Sequence, residues 1–390
     1  MRKVYQIVGA ASLFWAVFLS EPALSAVEQT NPQDTKVSPW GEIKLHYDDN
    51  VYLSSSNKKD DFIVTLTPGV SLYLPFSDNL FKFDYSVDIN KYMDNTSQDA
   101  NNHYASGNLE LNWRDVSFNI YDKFGHVFER PSTEDTSRVK RDDNRAGIAA
   151  KVQKEKLGVQ LGYENFMRDY KSDATYDVYD RAEHLYSFIV THKTFPKSEL
   201  LLEYDFSQIR YDKSVHSDSD YHQVLIGIIG GLTPKTEATI KAGYQTREYE
   251  RADEPNFNTG VLYADLTHKF SDKNAIKLSL SRTANESTYG TNNFYKVESI
   301  TAILDHFFTP KLLGFLTGEF QINSYPRETT EGSETKKRED NYYLTGAGLR
   351  YYLQKWLTFT LKFEHIVRNS NFDTFEYDQN LITFTAKAVF

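Results

Sequence analysis

The stretch LITFTAKAVF, Leu381–Phe390, places Ile382, Phe384, Ala386, Ala388 and Phe390 at alternate positions, with Thr383, Thr385, Lys387 and Val389 between them. Successive side chains of a strand point to opposite faces, so this is a strand with one apolar and one largely polar face. The same period of two recurs upstream. Phe62, Val64, Leu66, Val70, Leu72 and Leu74 alternate with polar or small residues. Phe81, Phe83, Tyr85, Val87 and Ile89 alternate with Lys82, Asp84, Ser86, Asp88 and Asn90, and Leu357, Phe359, Leu361 and Phe363 oppose Thr358, Thr360, Lys362 and Glu364. No segment of useful length carries a 3.6-residue period.

The breaks between these runs alternate in length. Eight are short, among them Pro75–Asn79, Asn112–Asp115 and Gln354–Trp356; nine are long and polar, among them Asp48–Asp60, Gly125–Asn144, Asp212–Asp220 and Tyr325–Glu339. They divide the chain into about 18 strands, an even count with short turns at one end and long loops at the other. The fold class is therefore all-β, a transmembrane antiparallel up-and-down β-barrel. A propeller would instead repeat a motif every 40 to 50 residues or so, and none recurs. Phe76, Phe81, Trp113, Phe195, Phe270, Phe308 and Trp356 lie near the short turns. Tyr47, Tyr92, Tyr104, Tyr163, Tyr170, Tyr211, Tyr221, Tyr249, Tyr295, Tyr325 and Tyr343 lie near the long loops. This zoning suggests two aromatic belts at two membrane interfaces. The closing strand with its terminal Phe390 resembles the insertion signal of bacterial outer-membrane barrels.

Composition agrees. Arg2 and Lys3 precede an apolar run, Ile7–Leu19, and small residues at Ala23, Ser25 and Ala26, the layout of a cleaved secretory signal peptide over residues 1–26. Residues 27–39 read as a short periplasmic segment and residues 40–390 as the barrel. The expected location is the bacterial outer membrane, reached through the inner membrane by way of that signal. Mean hydropathy is −0.57 over 390 residues, which suits a barrel because only alternate residues face lipid. Cysteine is absent, excluding disulfides, thiol nucleophiles and thiolate metal sites. The chain's 44 basic and 54 acidic residues, less Arg2, Lys3 and Glu21 of the leader, leave 42 and 53, a net charge of −11 that disfavours nucleic acid as a partner.

Eighteen strands enclose a water-filled lumen, whereas eight are filled by side chains. Alternation turns Lys82, Asp84, Asp88, Glu203, Asp205, Lys241, Tyr263, Asp265, Lys277, Lys362 and Glu364 inward as candidate pore-lining residues. A dry core could not satisfy so many charges. The longest loop holds Glu129, Arg130, Glu134, Asp135, Arg138 and Arg141. Folded inward it would narrow the pore, with Glu129, Arg130, Arg138 and Arg141 at the constriction; otherwise it is a solvated surface loop. A second charged loop runs from Arg327 to Glu339. Pro68-Gly69 interrupts a strong strand, and a bulge or kink is expected there. Asp48, Asp49 and Asn50 carry oxygen ligands without the spacing of a calcium loop, so a solvated loop is the reading. The ten histidines are scattered and none is spaced as in HExxH. No Ser, His and Asp arrangement is specific enough to name, so no enzyme, cofactor or metal is expected.

Asp49-Asn50-Val51-Tyr52 after the opening strand, and Thr67-Pro68-Gly69 within the next, resemble the start of the family called Putative beta-barrel porin 2. The resemblance implies an outer-membrane barrel associated with exopolysaccharide export, hence a conduit for a secreted polysaccharide with a periplasmic polysaccharide-export protein as partner. The alternatives are a general diffusion porin for small solutes and a non-conducting surface scaffold or adhesin. Other expected partners are outer-membrane lipid, lipopolysaccharide and the barrel-assembly machinery.

Overall fold

The computed structural model describes residues 35–171 and 175–390; the leader lies outside them. The described residues form β1 (Lys36–Asp48), β2 (Asp61–Phe76), β3 (Asn79–Tyr92), β4 (Ala100–Trp113), β5 (Val116–Glu129), β6 (Val139–Lys154), β7 (Leu157–Tyr170), β8 (Arg181–His192) and β9 (Ser198–Tyr211). They continue as β10 (Ser219–Thr233), β11 (Thr236–Tyr249), β12 (Phe257–Lys269), β13 (Asn274–Glu286), β14 (Phe294–Thr309), β15 (Leu312–Glu331), β16 (Glu334–Gln354), β17 (Leu357–Ser370) and β18 (Tyr377–Val389). Each strand pairs antiparallel with the next, and β18 pairs back onto β1 from Trp40 opposite Val389 to Asp48 opposite Leu381. The sheet closes on itself, so no row of backbone N–H and C=O groups is left unpaired toward lipid.

Register assigns the faces, because residues directly opposite one another share a side of the sheet. Ile43 faces Leu66, Leu66 faces Ile89, Tyr163 faces Tyr186, Leu202 faces Ile226, Leu304 faces Leu316 and Phe363 faces Ile382. These apolar side chains, all solvent-exposed in the isolated barrel except half-buried Ile89, make up one outward band. The large exposed apolar surface is that of a lipid-facing wall.

The barrel begins four residues earlier than the period of two suggests. Lys36 to Pro39 belong to β1, where Pro39 pairs with Val70 and its carbonyl accepts the Phe390 N–H at 2.9 Å. At Pro68 there is no bulge. Gly41 faces Pro68 and Trp40 faces Gly69 in unbroken register, while the ladder to β3 omits Thr67 and Pro68 and resumes in the same register. The missing proline N–H is absorbed as lost pairing, and the Thr67 hydroxyl bridges the gap to Asp88 at 2.6 Å. Gly69 is required for a different reason. A Cβ there would lie 2.3 Å from the Trp40 ring, so the indole rests on bare backbone. The register shift at a proline occurs instead between Ser324 and Glu328, around Pro326.

The long loops are shorter than the sequence suggests, because polar residues extend the strands above the membrane. The stretch Tyr325–Glu339 is the tip of the β15–β16 hairpin. Glu328 faces Lys337, the Thr330 and Thr335 hydroxyls lie 2.8 Å apart, and Gly332 turns the chain with φ +61. Likewise, of Gly125–Asn144 only residues 130–138 lie outside β5 and β6.

The expected tyrosine belt is corrected by parity. Of the eleven tyrosines near the long loops, Tyr47, Tyr163 and Tyr343 face outward, while the others turn to the lumen side or pack under loops. Height along the strand says nothing about face. The Phe and Trp residues near the short turns fare better: Trp113, Phe195, Phe270, Phe308 and Trp356 are all exposed on the outside of the wall or at its turns.

Candidate functional site

All eleven candidate pore-lining residues lie on the face opposite the apolar band, as the registers of β3, β9, β11, β12, β13 and β17 require. They divide into two environments. On β1, β3, β4 and β17 the side chains reach open lumen. Lys82 is 43% exposed and 3.3 Å from Glu110, and Lys362 is 36% exposed and 2.8 Å from Glu364. Asp84 accepts from Ser71 at 2.5 Å and Asp88 from Thr67 at 2.6 Å. Asp265, exposed, accepts from Ser279 at 2.6 Å, and Lys277 stands beside it on β13 facing Thr267.

On β9 and β11 the inward charges Glu203, Asp205 and Lys241 are closed off. Glu203 and Lys241 pair at 3.0 Å and are almost wholly buried; Gln223 donates to Asp205 at 3.0 Å, and the Tyr263 ring lies 5.7 Å from the Lys241 ammonium. Glu203 and Lys241 satisfy each other without open water, contrary to the expectation that inward charge requires an open lumen, whereas Asp205 has only the Gln223 amide and its Oδ1 is buried without a partner among the described residues. Glu203, Asp205 and Lys241 belong to a packed sector of the wall.

The longest loop does enter the barrel. Residues 130–138 leave β5, reach the opposite wall and return to β6. Thr133 is held on both its carbonyl and its hydroxyl: Arg368 of β17 donates to the carbonyl at 2.9 Å, and Gln321 of β15 to Oγ1 at 2.7 Å. The Glu134 carbonyl accepts from Arg338 of β16 at 3.1 Å. The Glu134 carboxylate is received by Ser287 and Thr288, which follow β13: the Ser287 hydroxyl donates to it, and so does the Thr288 N–H at 2.8 Å. The Thr288 hydroxyl lies 2.9 Å from both Glu134 and Asp135. One hydroxyl has one proton, so it cannot serve two carboxylates at once. Burial, and then the neighbouring Asp135, push the Glu134 carboxyl up to about 7.

Arg338 anchors the far side. Its guanidinium pairs with Asp340 at 2.6 and 3.0 Å and is surrounded by the rings of Phe375, Tyr289 and Tyr325 at 3.8, 4.6 and 4.9 Å. Aromatic faces attract a cation and exclude water.

Of the four constriction candidates, only two lie in the loop. Glu129 ends β5 and accepts from Tyr104 at 2.6 Å; Arg141, on β6, donates to Asp143 at 2.9 Å and to the Glu129 carbonyl at 2.9 Å. These two brace the base of the loop from the wall. Arg130 and Arg138 converge on one acceptor, the Val51 carbonyl, at 2.8 and 3.4 Å.

Val51 stands in the Asp49–Tyr52 motif, which bends into the barrel rather than forming a solvated loop. Asn50 is fully buried; its Nδ2 donates to the Ser54 and Asp378 carbonyls at 2.9 and 2.8 Å, and its Oδ1 accepts the Ser54 N–H at 2.9 Å. Val51 packs on Ile63 and Tyr92, and Leu53 on Ile366 and Tyr377. Among the described residues no three metal-binding side chains converge.

Arg130, Thr133, Glu134, Asp135, Arg138, Asn50, Val51, Arg338 and Arg368 thus form the crossing; the sequence marked Arg130 and Arg138 as constriction candidates, Glu134 and Asp135 only as loop charges and Asn50-Val51 only as a motif, and it did not single out Thr133 or Arg368. The usable signal was the burst of short capping side chains, Ser132-Thr133-Glu134-Asp135-Thr136, between two arginines. Such residues accept and donate locally, as a docked loop needs.

Solved structures share the architecture at low identity. OccK2 (OpdF) of Pseudomonas aeruginosa is 10% identical, with a TM-score of 0.51 over 91% of this chain and 98% of that one. A BenF-like porin from Pseudomonas fluorescens Pf-5 is 9% identical, with a TM-score of 0.51 over 92% of this chain and 99% of that one. No curated protein matches the chain. A closed barrel of 18 strands, an apolar outer band and a charged inner wall are the attributes of an outer-membrane channel, and the family model for these channels matches residues 36–390. The chain belongs to the family described as Putative beta-barrel porin 2, and its place is the bacterial outer membrane.

Proposed function

We propose that this protein is a passive porin for small polar solutes, with no catalytic role. The observation that carries the reading is the segment 130–138 crossing the lumen and held on the far wall through Thr133 and Glu134. A crossing segment leaves room for small solutes and obstructs an extended polymer. A segment held across the lumen argues against passage of an extended polysaccharide. The open part of the wall, with Lys82, Asp84, Asp88, Lys362 and Glu364 of both signs, sets a weak charge preference.

The experiment is planar-bilayer conductance combined with liposome swelling. The purified barrel should conduct, admit monosaccharides and small organic acids, and resist block by a long-chain glycan. Deleting residues 131–137 should raise conductance. A barrel that conducts neither with nor without the segment refutes the porin reading. Block by the glycan, with small sugars excluded, would return the export reading.

A further inference from the structure

Eight of the ten histidines face outward, since His46 points into the lumen and His216 stands in the loop after β9. Four of the eight occupy one sector at the long-loop end: His103 on β4, His126 on β5, His184 on β8 and His222 on β10. On β11 to β18 only His365 stands at that height. The chemistry of the four is alike. Nδ1 of His103, His184 and His222 is engaged by a tyrosine hydroxyl on the paired strand: Tyr85 at 3.0 Å, Tyr163 at 2.9 Å and Tyr204 at 2.8 Å. Nδ1 of His126 lies 2.5 Å from Asp142. Nε2, the nitrogen farther from the backbone, has no partner among the described residues.

Where the tyrosine O–H donates to Nδ1, the ring proton resides on Nε2. Where Asp142 accepts from Nδ1, the His126 proton is on that nitrogen. The cross-strand bond fixes the orientation of each ring, so the Nε2–H groups of His103, His184 and His222 are held outward along the sector, with the His126 ring beside that of His103. Their depth is set by what lies beneath. The next outward residues toward the short turns are Phe83, Leu161 and Leu202, all exposed on the lipid band. Two residues of strand separate them from the tyrosines, about 6–7 Å. The row therefore stands just above the acyl region. Beyond it Lys171 and Arg210 are neutralised by Asp142 and Asp220 at 3.2 and 2.7 Å, whereas Lys140 has no carboxylate partner among the described residues.

We propose that this sector binds the phosphates of lipid A, the lipopolysaccharide anchor of the outer leaflet, on the Nε2–H groups of His103, His184 and His222, with the His126 ring and Lys140 at the same site. The inference rests on outer-membrane placement and is independent of what passes through the pore. Outward N–H donors and an unpaired ammonium at head-group depth fit an anionic oxygen cluster, and lipid A presents its phosphates on the same sugars that bear the acyl chains.

The test uses the wild-type barrel in nanodiscs of bisphosphorylated lipid A, or of the same lipid with both phosphates removed. Histidine modification by diethyl pyrocarbonate is read by peptide mass spectrometry. Modification of the four residues should be about tenfold slower with the phosphorylated lipid, the equivalent of one charge-assisted hydrogen bond. Equal rates in the two lipids overturn the proposal. A variant with the four histidines replaced by phenylalanine, checked for heat-modifiable mobility, should bind bisphosphorylated lipid A about tenfold more weakly in detergent. Unchanged affinity in that variant also overturns the proposal, and if the variant does not assemble, the wild-type protection experiment decides alone.

Discussion

Two side chains determine how firmly the crossing is held, Arg338 and Glu134. Arg338 and Asp340 are both about 1% exposed or less and satisfy each other. Removing only the cation leaves a buried carboxylate alone, which costs about 3–5 kcal/mol. Arg338→Met should lower stability by roughly that amount in guanidinium titrations followed by tryptophan fluorescence. Adding Asp340→Leu should recover most of the loss, and the double-mutant cycle should show a coupling of about 1–3 kcal/mol. Glu134 sets a pH dependence. A free glutamate titrates near about 4.3, while burial and Asp135 hold Glu134 at about 7. The docked loop therefore binds the proton more tightly than the released loop. Docking is strongest below the free value and weakens as pH rises through about 7. His216 works in the opposite sense, because burial lowers its affinity for a proton, so its own loop loosens in acid. Single-channel records should show quieter, smaller currents at acid pH than at alkaline pH. Glu134→Gln cannot ionise and should remove the part of that dependence that belongs to the loop. An unaltered pH profile in this variant would show that Glu134 does not control docking. None of this was legible in the run Ser132–Thr136, because the groups that bury Glu134 come from Ser287, Thr288 and Arg338, more than 150 positions away.

The element most revealing of what sequence can and cannot tell is the turn Asp49–Tyr52. Its residues were visible as a motif, but their use was not. Reading them as a solvated loop follows from their polarity, and the error lies in treating polarity as exposure. Asn50 spends both ends of its amide on backbone groups, so a polar residue here is a buried brace. Asn50→Ala should lose about 1–3 kcal/mol of local stability and free the Val51 carbonyl that receives Arg130 and Arg138. The measurable outcome is faster proteolysis within residues 49–60 and noisier open-channel current, with the barrel still assembled. The β15–β16 hairpin teaches the reverse lesson. Above the membrane a strand needs no apolar alternation, so Arg327–Glu339 looked like loop and is ladder. Its tip at Gly332 and Ser333 stands at the long-loop end, opposite the Asp272 turn. Cysteine placed at Ser333 should react with an impermeant maleimide on intact cells, and cysteine at Asp272 should not; the opposite pattern would invert the topology.

At the scale of the whole barrel, a period of two was enough to give strand number, pairing and face. The side-chain period of a strand is two, so one correct residue fixes the parity of its strand, and Lys82, Asp84, Lys362 and Glu364 could be turned inward without coordinates. Parity says only which way a side chain points. Whether it meets water depends on its neighbours across and beneath it, which a linear sequence does not encode. Hence Lys82 and Lys241 look alike as inward lysines between apolar residues, yet one is 43% exposed beside Glu110 and the other is closed against Glu203. The two sectors predict different consequences for the same chemical change. Replacing Lys82 and Lys362 with glutamine removes two positive charges from the water-filled path. The reversal potential under a salt gradient should move toward that of the cation, with assembly unaffected, because no buried partner is stranded. Lys241→Met should leave the reversal potential where it was and instead destabilise the barrel by about 3–5 kcal/mol, since Glu203 is left charged and unpaired. If Lys241→Met shifts selectivity as strongly as the Lys82 and Lys362 replacements do, the sector from β9 to β11 is part of the conducting path and the division of the wall is wrong.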